Sequence, residues 1–281
     1  MHLGVLKHRV PMVPACVLLS LALSSFSWRV KAHEFWLSPS SHGVSVGISV
    51  DVYAMIGHGE KAEALVRRRD HLKTFLVHEG KQSEELSGRN LRHPTGKFRP
   101  MGEGLHIVAY ESLAQINSLP GKEFEDYLQK EGLDEVLDSR RLAKESEAPG
   151  REAYYRFAKC LIQVGDKTGA DCSLGFPLEI VTLTDPARMS VGTTLVVRVL
   201  REGEPIPGLL VKAFSLASVS EPRGVRTDFD GLARINIDRA GRWMLNAVSM
   251  EPSEDSSEAD WQSYWASLTF EVPEPNAAPT P

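Results

Sequence analysis

The chain has 281 residues, of which 42% are hydrophobic and 25% charged, with a formal charge of −5. That composition belongs to a folded protein with room for about two domains, and it excludes a disordered chain or a polytopic membrane protein. No dense basic stripe supplies the clustered Lys and Arg that phosphate neutralisation needs, so no nucleic-acid partner is expected.

Lys7, His8 and Arg9 precede an uncharged run from Val10 to Trp28, with small residues at Ser24, Ser25 and Ser27 near its end. This is the pattern of a secretory signal. Val30 and Ala32 stand where a signal peptidase reads small residues, so cleavage is expected after Ala32, leaving His33 as the first mature residue. Two rivals are cleavage after Ser27 and retention of the run as a membrane anchor. The chain is therefore expected to be exported, periplasmic or extracytoplasmic, and membrane-associated only if residues 1–32 are kept. Their loss removes four of the 32 basic residues and none of the 37 acidic ones, so the exported chain is more acidic than the whole sequence.

From Val44 to Met55 apolar and small polar residues alternate, which predicts a half-buried strand. Thr74 to Val77 and Leu105 to Tyr110 are further strand candidates. Between Gly121 and Lys144 the period changes: Phe124, Leu128, Leu133, Val136, Leu137 and Leu142 fall at helical spacing, predicting a helical insertion over about 121–144. A mostly apolar strand follows over Ala153 to Ile162. From Leu178 onward seven short β-rich runs are separated by turn signals, including Asp185-Pro186, Gly203-Glu204-Pro205 and Asp230-Gly231, the spacing of an Ig-like sandwich. The expected fold is mainly β, with two antiparallel β-sandwich domains. The first (33–177) carries the helical insertion, the second (178–273) is Ig-like, and 274–281 is a disordered Pro/Ala tail.

After cleavage the cysteines are Cys160 and Cys172, an even number in an oxidising compartment. One disulfide clasping a β-hairpin is expected, with a two-thiolate metal site as its rival.

The mature histidines, His33, His42, His58, His71, His78, His93 and His106, all precede residue 107, so any imidazole site belongs to the first domain. A mature N-terminal histidine offers its α-amine and its ring Nδ1 to one metal ion. The alternative is that His33 is only an exposed start to the following strand. His58, in Ile56-Gly57-His58-Gly59-Glu60, is the best second ligand, because the flanking glycines let backbone approach an ion; otherwise it is a loop residue. His106 is a candidate third ligand or a residue of a strand's solvent face. Glu34 and Glu60 are candidates to donate an oxygen or to fix an imidazole tautomer from behind. Asp228-Phe229-Asp230-Gly231 lacks the later acidic ligand of a calcium loop and reads as a hairpin turn. Trp261, Tyr264 and Trp265 offer either a sugar-stacking platform or core packing. No nucleophile elbow, phosphate loop or dinucleotide fingerprint occurs.

H-E-F-W-L-S-P at 33–39, Gly57-His58, F-E-D-Y-L-Q-K-E-G-L at 124–133, R-E-A-Y-Y-R-F-A-K at 151–159, E-G-E-P-I-P-G-L-L-V-K-A-F at 202–214, T-D-F-D-G-L-A-R-I at 227–235 and G-R-W-M-L-N-A-V at 241–248 together carry a resemblance. The mature chain resembles the family catalogued as domain of unknown function 4198, described as periplasmic components of nickel/cobalt uptake systems. The C-terminal motifs are also similar to carboxypeptidase-regulatory and collagen-adhesin sandwiches. The resemblance implies Ni(II) or Co(II) as ligand and a membrane metal transporter as partner. Family members often place a histidine before the methionine where Ser249 stands before Met250.

The function read from the sequence is an exported, non-enzymatic accessory protein that binds a divalent transition metal. His33, His58 and His106 are its ligands, and Cu(II) competes by the Irving–Williams order. The alternatives are a cell-surface protein or glycan interaction module without metal, and a copper-dependent oxidative enzyme.

Overall fold

The computed structural model describes residues 34–58, 61–218 and 221–274. The segment assigned to export, His33, Gly59, Glu60 and nearly all of the expected tail lie outside the described residues. In chain order the elements are β1 (Glu34–Pro39), β2 (Gly43–Val44), β3 (Val50–Gly57), β4 (Glu63–Leu65), β5 (Leu72–Glu79), β6 (Gln82–Glu85), β7 (Gly96–Phe98), β8 (Gly104–Ser112), β9 (Gln115–Leu119), α1 (Gly121–Glu131), α2 (Asp134–Leu142) and β10 (Gly150–Val164). The second half supplies β11 (Leu178–Thr182), β12 (Thr194–Arg201), β13 (Glu204–Pro205), β14 (Leu210–Ser215), β15 (Arg223–Arg226), β16 (Leu232–Asn236), β17 (Gly241–Pro252) and β18 (Trp261–Val272). The chain is mainly β, as the alternating patterns require.

All seven runs expected after Leu178 are strands, and the helical period at 121–144 folds as two short helices. The run from Val44 to Met55 is not one strand. Gly47 turns the chain at a φ of 82° and donates its N–H to Pro100 O, so β2 joins β10 while β3 joins β1.

The strands form three sheets. A four-stranded sheet has the order β1-β3-β4, with β7 on β3; a second four-stranded sheet has β11-β12-β13, with β16 on β12. Between them a ten-stranded sheet runs β15-β14-β17-β18-β10-β8-β5-β6, with β2 and β9 also paired to β10. This sheet crosses the boundary expected near residue 177, and the described residues on both sides of it belong to one compact unit. The join is parallel, pairing β10 with β18 from Glu152↔Trp261 to Cys160↔Thr269. Parallel neighbours need a long crossover, and here the crossover contains the whole C-terminal set of strands.

Because the middle sheet is covered on both sides, its central strands are apolar on both faces. Ile107 and Ala109 of β8 and Phe157 and Leu161 of β10 face one core with Leu178, Val197 and Ile235. Val108, Tyr110, Cys160 and Ile162 face the other, with Leu37, Val50 and Val52. That double coverage explains why 153–162 reads as an almost unbroken apolar run.

The helices close a third core. Phe124, Tyr127 and Leu128 of α1 pack with Trp261 and Trp265, and Tyr127 stacks on Trp265 at 5.7 Å between centroids. Full burial of Phe124 contributes about 2–3 kcal/mol. Gly132 ends α1 in the left-handed region at a φ of 69° and donates to Gln129 O, which a side-chain-bearing residue would do only with strain. The last turn of α1 thereby places Lys130 and Glu131 beside β14 and β1.

Candidate functional site

β1 and β3 pair antiparallel with Glu34 opposite Gly57, so the register brings the first described residue alongside the end of β3. Gly57 has a φ of 129°, and a Cβ there would lie 2.8 Å from Ala62 Cα and 2.9 Å from Lys61 O. Only glycine makes this turn without strain, and the turn presents His58. The His58 ring meets Glu34 Oε2 through Nδ1, with the histidine side chain 43% exposed and the glutamate 1% exposed.

Three residues from two further elements complete a buried charge cluster around that contact. Lys212, on β14, lies 3.2 Å from Glu34 Oε1 and 2.5 Å from Glu131 Oε2. Lys130, at the end of α1, lies 3.6 Å from Glu34 Oε1. Burial pushes the Glu34 carboxyl up, but the His58 hydrogen bond and the charges of Lys212 and Lys130 outweigh it and hold the group at about 2. Glu34 is therefore a permanent anion. Glu131 shifts the other way, upward: burial dominates, and the Glu34 charge adds to it against the pull of Lys212. Its Oε1 is buried and accepts no hydrogen bond among the described residues.

Chemically, a carboxylate on Nδ1 fixes the imidazole so that Nε2 is the ring nitrogen suited to a metal. Glu34 is itself occupied by two lysines and one imidazole, so it orients a ligand rather than serving as one. The sequence pattern did not single out Lys130, Glu131 or Lys212. The available signals were a lysine at an inward position of Leu210–Phe214 and a glutamate at the buried end of an amphipathic helix.

His106 is not brought to His58. It is buried on β8, with Nε2 3.4 Å from Glu79 and its ring stacked on Phe98 at 6.1 Å. Phe98 pairs with Val50, at the opposite end of the eight-residue β3 from Gly57. At ~3.3 Å per residue the two ends of β3 lie about 23 Å apart, and His106 sits by the Val50 end while His58 follows the Gly57 end, so the structure does not bring the two imidazoles together. Glu60 and His33 lie outside the described residues. Among the described residues no three His, Cys, Asp or Glu side chains come together as a metal site.

The expected disulfide is absent: Cys160 and Cys172 are both free. Strand alternation is the reason. Lys159 points to the side where it donates to Cys172 O at 2.9 Å, and the adjacent Cys160 points to the opposite face. Cys160 is buried against Ile162 and Leu37, and burial pushes its thiol up to about 12. The separation equally removes the two-thiolate metal site.

Trp261, Tyr264 and Trp265 are buried in the cores and form no stacking platform. Asp228 Oδ1 accepts from the backbone N–H groups of Asp230 and Leu232, closing a hairpin turn in place of a calcium loop.

A family model described as "Domain of unknown function (DUF4198)" matches residues 30–251. No curated protein matches the chain. Among solved structures, the D0-D1 domain of Intimin is similar at 12% identity and a TM-score of 0.21, over 83% of this chain and 96% of that one. The three N-terminal domains of the bacteriophage RB49 Highly Immunogenic Outer Capsid protein are similar at 8% identity and a TM-score of 0.21, over 86% and 71%. At such TM-scores neither bears on fold or function.

Proposed function

Since the chain belongs to the DUF4198 family, we propose from its residues that it is an exported protein binding a divalent transition metal, with nickel or cobalt uptake as its role. The ligands are the α-amine and ring of a mature N-terminal His33 together with the His58 ring. The observation that carries this reading is the buried Glu34 carboxylate on His58 Nδ1. One peptide bond ties Glu34 to His33, so the residue that orients one candidate ligand is the chain neighbour of the other. The donor set fits a borderline ion, since amine and imidazole nitrogens suit Ni(II), Co(II) and Cu(II).

The protein is a carrier or donor rather than an enzyme, and a membrane metal transporter is the partner that would take its ion. The α-amine must lose a proton to bind, so affinity rises as pH approaches the amine's ordinary pKa of about 7.7–8.0. Isothermal calorimetry with Ni(II), Co(II) and Cu(II), on protein whose mature N-terminus is verified as His33, tests the reading. Stoichiometric binding is expected, abolished by His58→Ala and weakened about 10–100-fold by Glu34→Gln. Absence of heat with all three ions would overturn it.

A further inference from the structure

A second buried lysine lies in a different setting, between the middle sheet and the β11-β12 sheet. Lys159 occupies the inward face of β10 between Phe157 and Leu161, both members of the large apolar core. Its Nζ is 2.7 Å from Asp171 Oδ1 and 3.1 Å from Glu179 Oε1, and the three side chains are at most 2% exposed. Each carboxylate is held by backbone N–H groups. Asp171 Oδ1 accepts from Cys172 N at 2.9 Å, and Oδ2 accepts from Thr182 N at 2.8 Å. Glu179 accepts from Leu174 N and Gly175 N and from the Ser173 hydroxyl.

We propose that Lys159 and Asp171 are joined by an intramolecular amide bond, with Glu179 carrying the protons of its formation. The amine and the carboxyl carbon are already neighbours. With Nζ 2.7 Å from Oδ1, the carbon is at most one C–O bond, ~1.2 Å, farther. Preassembly of this kind replaces an encounter in solution. Two backbone N–H groups are aimed at the carboxyl oxygens, where they stabilise the charge that develops on an oxygen during attack. Burial raises the Asp171 carboxyl against the opposing pull of Lys159.

The atoms balance without any outside reagent. Glu179 takes a proton from the ammonium, and the free amine attacks Asp171 Cγ, forming the C–N bond. Glu179 returns that proton to one carboxyl oxygen and then carries a second from the attacking nitrogen to the same oxygen, whose C–O bond breaks as water leaves. Two of the three ammonium hydrogens depart with that oxygen as water, one stays on the amide nitrogen, and Glu179 ends as it began. The product exchanges two buried charges, costly to hold out of water, for a neutral amide. The modification does not depend on the metal reading, since none of its residues touches the Glu34 cluster.

Intact-mass spectrometry of the purified full-length or processed chain, followed by peptide sequencing, is the test. The expected chain is lighter than its sequence by one water, is not cut by trypsin after Lys159, and yields a branched peptide joining Lys159 to Asp171. Glu179→Gln and Lys159→Arg are each expected to restore the full sequence mass. A wild-type chain at full mass overturns the proposal, as does a missing water mapped to any other residue pair. The wild-type measurement decides the matter even if either variant fails to fold.

Discussion

Among the described residues two lysines are buried, each between two carboxylates, and the two centres differ in how they are closed. Lys159 faces Asp171 and Glu179 inside a dry core, and both carboxylates are also held by backbone N–H groups of the 171–182 segment. Lys212 faces Glu34 and Glu131 at the meeting point of β1, β14 and the end of α1. There one glutamate oxygen has no hydrogen-bond partner among the described residues, and the cluster reaches solvent through the half-exposed His58. A closed centre directs its chemistry inward, between its own groups. The open one, short of a donor and fronted by an imidazole, is where the proposed metal site lies.

Lysine truncation breaks the comparison most sharply. Lys159→Met leaves the buried Asp171 and Glu179 without the cation they share, and urea denaturation is expected to show a loss of about 3–5 kcal/mol. Lys212→Met leaves Glu34 with His58 and Lys130, and a loss of about 1–3 kcal/mol is expected. Equal losses would erase the distinction between the two centres.

Acid provides a separate handle on the fold that holds both. His42 is buried, its Nδ1 2.8 Å from Leu161 O, and burial, aided by Arg242, outweighs that bond and lowers the ring from 6.5 to about 4. In the unfolded chain it takes a proton near pH 6.5, whereas the folded protein refuses one until about pH 4. Stability contributed by the neutral ring is thus present above pH 6.5 and is lost as pH falls through that window. The expected loss is about 3 kcal/mol, and pH-dependent melting of His42→Gln should lack it.

The smallest effect concerns the cysteines. Cys172→Ser is expected to change stability by less than about 0.5 kcal/mol. A thiol reagent should label Cys172 in the native protein and Cys160 only after unfolding. Identical melting with and without reductant completes that expectation.

What the sequence made legible follows from the range of the interactions. The seven C-terminal strands and the two helices are written in local periods of two and of three to four residues, and both are found where those periods place them. Nothing local announces that β10 pairs with β18, more than a hundred residues later, so the ten-stranded sheet reads from sequence as two separate sandwiches. The same non-local pairing covers β10 on both faces and sets Lys159 and Cys160 on opposite sides, which is why an even cysteine count misled. His58 and Glu34 are legible as candidates because they sit beside glycine and the expected mature terminus. Lys212 and Glu131 are not, because their partners come from three distant elements.

The most direct measurement compares Ni(II) calorimetry on two forms of the protein, one beginning at His33 and one carrying a single additional alanine before it. Tight, stoichiometric binding is expected of the first and its loss in the second, whose His33 nitrogen is an amide. Equal affinity in both forms, or no binding by the first, contradicts the His33 chelate.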